Sequence, residues 1–165
     1  MNQAHQQQNH RERTRVEVAE LRAQFREDAG AIGIDEDFIA LLVDTFYARV
    51  RADAVLGPIF AERIVDWPHH LGRMRAFWSS VLLHTGAFSG NPMGKHIAIP
   101  GIGREEFLHW LDLWGQTLDK LAGHPEASAL ILAKARLIAE SLHNGILVHR
   151  DGVRDPLAMK GLNHA

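Results

Sequence analysis

Apolar residues recur along this chain at the spacing of an α-helix. Between Glu36 and Arg51, an apolar side chain returns every four residues, at Phe38, Leu42, Phe46 and Val50. Such a stripe is typical of a helix that packs one face against a core. No run of β-branched residues with a period of two, bounded by hairpin signals, occurs in the sequence. The pattern therefore predicts an all-α fold.

The same criteria divide the chain into helices separated by segments that contain glycine and proline. The predicted helices span Val16–Asp28, Glu36–Arg51, Asp66–Leu83, Arg104–Leu121 and Pro125–Ile146. Leu56–Phe60 is predicted to be a turn, and Thr85–Met93 a loop, because both contain the residues that interrupt helices. A short segment, Gly94–Ile99, then lies between two long helices.

The 165 residues fit one domain with an extension at each end. We predict an N-terminal extension over 1–33, a domain over 34–149 and a C-terminal tail over 150–165. We expect Met1–Arg15 to be disordered because it is polar and has little apolar surface to bury. The later part of the extension has a helical pattern, whereas the C-terminal tail has no period and is expected to fray.

Charge and composition exclude several classes of function. The formal net charge is -2, so the chain as a whole has no field that attracts nucleic acid or anionic lipid. No stretch approaches the ~20 apolar residues of a membrane helix, and the first residues lack the apolar run of a secretory signal. The absence of cysteine excludes disulfides and thiolate metal sites. We therefore predict a cytoplasmic protein without nucleic-acid or membrane partners.

Histidine is abundant, with 11 residues, and it is the commonest metal ligand in proteins. No two histidines are four residues apart, so a zinc site on one helix is not expected. Those near predicted helix ends are expected to cap a helix or to interact with its dipole: His84, His124 and His143. His70 shares a helical stripe with Met74 and Phe77, and His96 lies in the short segment. For each of the last two, the alternatives are a metal ligand and an interior histidine without a ligand.

Two aromatic residues with a donor hydrogen lie on apolar faces. Tyr47 is the single tyrosine, and Trp110 recurs with other apolar residues on its predicted helix. One alternative is that both are core residues that bond to the nearby backbone. The other is a haem site, because a haem needs one neutral imidazole on its iron, an apolar slot and donors that face the bound gas.

Several segments together resemble a known family, the truncated haemoglobins, and specifically their group III. The resemblance covers roughly Asp35 to Ile146 and depends on the order and spacing of the segments. They are Phe46-Tyr47-Ala48-Arg49-Val50-Arg51, Leu56-Gly57-Pro58-Ile59-Phe60, Trp67-Pro68-His69-His70-Leu71, Phe77-Trp78, Gly90-Asn91-Pro92-Met93-Gly94-Lys95-His96 and Phe107-Leu108-His109-Trp110-Leu111.

This resemblance implies a shortened globin fold, with two helices packed over two others around a haem. It implies that His96 is the proximal iron ligand, and that Tyr47 and Trp110 donate to the bound ligand. His70 matches the distal histidine of the family. The resemblance also implies that the pocket is walled by apolar side chains, namely those of Phe46, Phe60 and Met74. From charge and position, we expect Arg73 or Lys95 to meet a haem propionate.

The sequence departs from the family pattern at three places. The extension before Ile34 is longer than is usual, and Trp114 stands where a phenylalanine is common in similar sequences. His69 precedes His70, but only His70 has the W-x-x-H spacing from Trp67.

Three functions are compatible with these observations. The first is binding of oxygen, nitric oxide or carbon monoxide at a haem b, because no cysteine is present for covalent haem attachment. The second is a haem-dependent redox enzyme, for nitric oxide conversion, nitrite reduction or a peroxidase-like reaction, that needs an external reductase. The third is a helical interaction module without haem, which the ordered set of segments disfavours. The sequence does not separate the first two.

Overall fold

The computed structural model describes the backbone of residues 2–152, in which helices are the only regular secondary structure. They are α1 (Asn2–Ala31), α2 (Glu36–Ala52), α3 (Leu56–Ala61), α4 (Trp67–Leu83), α5 (Pro92–Ile97), α6 (Arg104–Leu121) and α7 (Pro125–Asp151). The predicted all-α fold is confirmed. Among the described helices, none is long and apolar enough to cross a membrane. Most of the predicted C-terminal tail, residues 153–165, lies outside the described residues.

Two long helices begin where an aspartate accepts a hydrogen bond from the first turn. The Asp35 carboxylate accepts from the Phe38 N–H at 2.8 Å, and the Asp66 carboxylate accepts from the His69 N–H at 3.0 Å. Each bond satisfies one of the amide groups that a helix leaves without a partner at its N-terminus. The predicted starts of α2 and α4 are therefore confirmed to within a residue.

The predicted turn Leu56–Phe60 is wrong, because these residues form the short helix α3. The Asp53 carboxylate accepts hydrogen bonds from the Val55 and Leu56 N–H groups, at 2.9 and 2.8 Å, and so supports the first turn of this helix.

Helix α5 begins at Pro92, so the last two residues of the predicted loop Thr85–Met93 are helical. The reason is that Asn91 caps the helix, since its side-chain oxygen accepts from the Gly94 N–H at 2.9 Å. A proline in the first turn is compatible with a helix because its missing N–H would have no partner there.

The N-terminal segment also differs from its prediction. Helix α1 starts at Asn2, so residues 2–15 are helical where the sequence predicted disorder. Every described side chain between Gln7 and Asp28 is exposed, so the helix does not depend on a buried face there. The Gln, Arg, Glu and Ala residues of this segment have favourable helix propensity, a local property that the prediction from burial did not weigh.

The helices pack as two crossed pairs. Helix α2 packs against α4 and α6, and α6 packs against α7, so that α2 and α4 lie over α6 and α7. The core between them is filled by fully buried side chains, the largest of which are Trp78, Trp114, Phe46, Ile39, Leu118 and Ile131. The predicted two-over-two arrangement is confirmed. Helix α3 packs against α2, and α5 packs against α7, which places both short helices at the edges of this sandwich.

Candidate functional site

Five of the predicted site residues form one cluster, to which we refer as the aromatic cluster: Phe46, Tyr47, Phe60, His70 and Trp110. The ring centroid of Tyr47 lies 5.1 Å from that of His70 and 5.7 Å from that of Phe60. The Phe46 ring contacts Tyr47 at 5.1 Å and Trp110 at 5.4 Å. The rings meet edge to face, as aromatic pairs prefer. Helices α2, α3, α4 and α6 each contribute to the cluster.

The polar atoms of the aromatic cluster lack partners. Among residues 2–152, the Tyr47 hydroxyl and the Trp110 indole N–H make no hydrogen bond, and each keeps some exposure to solvent. The Nε2 atom of His70 is buried without a partner. A buried polar atom left unsatisfied costs about 1–3 kcal/mol, so the His70 nitrogen calls for a specific explanation. A buried nitrogen without a partner, in a ring that contacts the Tyr47 ring, fits a site that offers hydrogen bonds to a small polar ligand.

The ionisation of these groups suits hydrogen-bond donation. Burial raises the pKa of the Tyr47 hydroxyl well above its ordinary value, so the group stays protonated at any physiological pH. Burial, together with the nearby charges of Arg73 and His69, lowers the pKa of His70. His70 is therefore neutral at pH 7 and puts no positive charge on the cluster.

His96 has the geometry of a metal-ligating histidine. Its Nδ1 lies 2.8 Å from the backbone oxygen of Pro92, one helical turn earlier. Because a carbonyl can only accept, Nδ1 must carry the proton, and the lone pair of the neutral ring is on Nε2. Burial lowers the pKa of His96, although the hydrogen bond to Pro92 opposes this effect, so the ring is neutral at pH 7. A backbone partner that fixes the tautomer is the usual support of a histidine ligand.

Contacts with α6 and α7 hold His96 and its helix in place. Its ring stacks on Phe107 of α6, with centroids 6.1 Å apart and planes 26° from parallel. Helix α5 is also held on α7, because the Met93 sulfur occupies the space where a side chain at Gly145 would begin. A glycine at this position thus allows the two helices to approach closely.

The elements that carry His70, His96 and Trp110 also present apolar side chains that are only half-buried. These side chains are those of Met74, Phe77, Val81, Ile97 and Leu108. Apolar surface of this kind favours a partner that covers it. This apolar surface, the available Nε2 lone pair of His96 and the donors without partners together fit a haem.

The two cationic residues of the predicted site lie on α4 and α5. Arg73 is exposed, donates to the Ser89 backbone oxygen at 3.2 Å and lies over the Phe88 ring at 5.3 Å. Lys95 is exposed in the last turn of α5, beside His96. Each thus shares an element with one of the two site histidines, and the contact with a haem propionate stays a prediction.

Trp67 contacts the aromatic cluster, although it was not among the predicted site residues. Its ring centroid lies 5.7 Å from that of His70 and 6.2 Å from that of Tyr47. The guanidinium carbon of Arg51 lies 4.8 Å from the centre of the same ring. Trp67 is therefore the contact between the aromatic cluster and an exposed cation. The W-x-x-H spacing between Trp67 and His70 is the sequence feature that could have identified this contact.

Three tryptophans form a stack behind the aromatic cluster. Trp110 and Trp114 are 5.4 Å apart with planes at 8°, and Trp114 and Trp78 are 4.6 Å apart with planes at 18°. Trp114 is fully buried, and its indole N–H has no partner. Trp114, which stands where a phenylalanine is common in the family, thus fixes the plane of the Trp110 ring by stacking on it.

His143 does not act as a helix cap, contrary to the prediction. It lies within α7, is 6% exposed, and its ring centroid is 5.8 Å from that of Phe107. Because Phe107 stacks on His96, the side chain of His143 is part of the packing behind the candidate iron ligand.

A hydrogen bond that the sequence did not predict joins α6 to the start of α3. The Nε2 atom of His109 lies 2.8 Å from the Asp53 carboxylate. Burial alone would raise the pKa of Asp53, but the hydrogen bonds from Leu56, His109 and Val55 lower it overall. Since α3 carries Phe60 and α6 carries Trp110, this contact sets two walls of the aromatic cluster relative to each other.

We expect Asp53→Ala to lower the free energy of unfolding by about 1–2 kcal/mol at pH 7, since it removes an acceptor shared by two helix amides and a histidine. The pKa of Asp53 is lowered in the folded state, so its contribution is present above the ordinary carboxyl pKa. The contribution is lost as the pH falls below about 4. Urea unfolding at a series of pH values measures this difference.

Asp119→Ala is the matched control, because Asp119 is exposed on the same helix as His109. This variant should unfold like the natural chain. A difference between Asp53→Ala and the natural chain that stayed constant down to pH 2 would show that the Asp53 charge is not what stabilises the turn.

Comparison with known proteins identifies the fold. No protein-family model matches the chain. The chain is 35% identical over 115 residues to the group 3 truncated hemoglobin ctb of Campylobacter jejuni, which covers 67% of this chain and 90% of that protein. It also resembles the crystal structure of the group III truncated hemoglobin from Campylobacter jejuni, with a TM-score of 0.65 and 34% identity, over 68% of this chain and 91% of that one.

The helical sandwich, with the aromatic cluster at its centre, defines the chain as a truncated globin. The sequence identity of 35% to the Campylobacter jejuni protein, over 67% of this chain, places the chain within one group of these proteins. The chain belongs to the group III truncated haemoglobins, and the resemblance seen in its sequence is confirmed.

Proposed function

We propose that the chain binds one haem b without a covalent bond and uses it to bind oxygen and other diatomic gases. The bound group would supply an iron with a free coordination position for the gas. The observation that supports this proposal best is the hydrogen bond from His96 Nδ1 to Pro92, because it orients the imidazole and leaves the Nε2 lone pair for iron.

His96 would hold the iron, and the apolar side chains near it would hold the ring. Phe46 is fully buried, and Phe60 and Met74 are half-buried. Because these side chains are apolar, they would keep water out of the site. Arg73 and Lys95 are exposed and would pair with the propionates at the haem edge, where solvent weakens such pairs.

Tyr47 and Trp110 would donate hydrogen bonds to the bound gas. Neither donor makes a hydrogen bond to another described residue, so donation to a ligand breaks no bond within the chain. Hydrogen bonds in a site without water act at low dielectric and so stabilise partial charge strongly. The Nε2 atom of His70 is buried without a partner in a ring that contacts Tyr47, and it would offer a third polar contact.

A second candidate function is a redox reaction at the haem, such as nitric oxide conversion, nitrite reduction or a peroxidase-like reaction. The observation that favours it is the pair of unpartnered donors, Tyr47 and Trp110, because two donors retain and polarise a ligand rather than release it quickly. Electrons would come from an external reductase. The cysteine-free composition is the basis on which we propose a cytoplasmic location.

Haemin added to the apoprotein is expected to produce a sharp Soret band that saturates at about one haem per chain, the stoichiometry of a single axial histidine. Absorbance titration of the purified chain measures this. Binding without saturation, or saturation at several haems per chain, would indicate adsorption to the surface and contradict the proposal. Pyridine extraction of the bound pigment identifies haem b.

A further inference from the structure

Helix α1 has an apolar stripe that the rest of the described chain covers only in part. Val18, Leu21 and Phe25 are 40%, 59% and 48% exposed, although they lie on one face of the helix. Their spacing of three and then four residues is that of the seam between two coiled helices. At about 1.5 Å per residue, the 30-residue helix is about 45 Å long.

The two ends of α1 are held differently. Near its C-terminus, the Phe25 ring lies 4.5 Å from the His84 ring, and Ala29 is buried. Helix α1 packs against α4 there. The side chains described between Gln7 and Asp28 are all exposed, so the N-terminal half has no buried face. A helix with exposed residues on all sides gains little from tertiary packing and is stabilised when its apolar stripe is covered.

A groove runs beside the apolar stripe of α1. It has a volume of 290 Å³ and is lined by Val18, Leu21 and Phe25 together with Ser80 and His84. Towards the N-terminus, the surface beside Val18 is formed by residues of α1 alone, which include Arg11 and Thr14.

The charges of α1 indicate what fits this groove. Residues 2–15 contain three arginines and one glutamate, a net charge of +2, whereas residues 16–31 contain two arginines and four acidic residues, a net charge of -2. A parallel copy of the helix would bring like charges together. An antiparallel copy places each basic half beside an acidic half.

We propose that α1 pairs antiparallel with α1 of a second copy of this chain. The two helices then meet in a symmetric interface in which Val18 faces Leu21 of the partner subunit and Thr14 faces Phe25 of the partner subunit. The same register places Arg11 opposite Asp28 of the partner subunit. A pair of opposite charges thus lies at each end of the apolar seam. The basic half of each helix lies beside the globin domain of the other copy.

Sedimentation equilibrium of the full-length chain tests the proposal, and its readout, the mass, does not depend on haem. The natural chain is expected at twice the 18.5 kDa mass of one chain. Leu21→Glu should give a monomer, because it puts two charges into the seam. Leu137→Glu is the matched control, since Leu137 is 62% exposed on α7 and lies outside the seam, and this variant should remain a dimer.

A charge exchange tests the antiparallel register. Arg11→Asp and Asp28→Arg should each raise the dimer dissociation constant by about tenfold, since each change affects two symmetric pairs. The variant with both changes should recover most of the affinity, because it restores opposite charges across the seam. A monomeric natural chain, or a dimer that Leu21→Glu leaves intact, would overturn the proposal, and absent rescue would overturn its register.

Discussion

Replacing His96 by alanine is expected to abolish specific haem retention. The variant loses the imidazole whose Nδ1 hydrogen bond to Pro92 leaves Nε2 for the iron. Loss of an outer partner of a metal ligand costs about 10–100-fold in affinity, so loss of the ligand itself should exceed that range. The expected result is a Soret band that is weak, broad and lost when haem is transferred to an excess of a competing haem-binding protein. Rates of haem transfer, followed by absorbance, measure the effect.

The control is His70→Ala, which removes the other half-buried histidine of the site. Because its Nε2 has no partner in the chain, its removal should leave haem retention close to that of the natural protein. Far-UV circular dichroism shows whether both variants keep their helices. If His70→Ala loses haem and His96→Ala keeps it, the iron ligand is on α4 rather than on α5.

Local side-chain bonds explain which helices the sequence predicts well. Asp35 and Asp66 each precede a periodic apolar run and cap it, so both starts are readable without tertiary information. Helix α3 was not predicted although the Asp53 carboxylate accepts locally from the Leu56 N–H, because its six residues include Gly57 and Pro58 and have no periodic apolar run.

The candidate site was predictable residue by residue, but its geometry was not. Periodicity places Tyr47, His70 and Trp110 on interior faces of three helices, and the family resemblance adds their roles. That the rings of Tyr47 and His70 lie 5.1 Å apart is a result of how α2 packs on α4. Contacts that no local pattern announces, such as the pair of Arg51 and Trp67, were missed for the same reason.

Tyr47→Phe is expected to speed oxygen dissociation by about ten- to a hundredfold. The change removes only the hydroxyl, which stays protonated because burial raises its pKa, and keeps the ring contacts with Phe46 and His70. Bound oxygen carries partial negative charge, and a hydrogen bond to a charged group contributes ~1.5–3 kcal/mol. Bound carbon monoxide is less polar, so its dissociation should change less. Stopped-flow measurements of both gases give the comparison.

Trp110→Phe should act in the same direction, since it removes the indole N–H, which makes no hydrogen bond to another described residue. If Tyr47 and Trp110 donate to one ligand, the effects of the two changes on the dissociation rate will not add in the double variant, because the groups are coupled through that ligand. Ser80→Ala is a control on α4: its hydroxyl bonds to the Ala76 and Phe88 backbone rather than facing the cluster. Unchanged oxygen rates together with a lowered melting temperature would contradict the role in ligand binding, and would mean that Tyr47 and Trp110 serve only to pack α2 against α6.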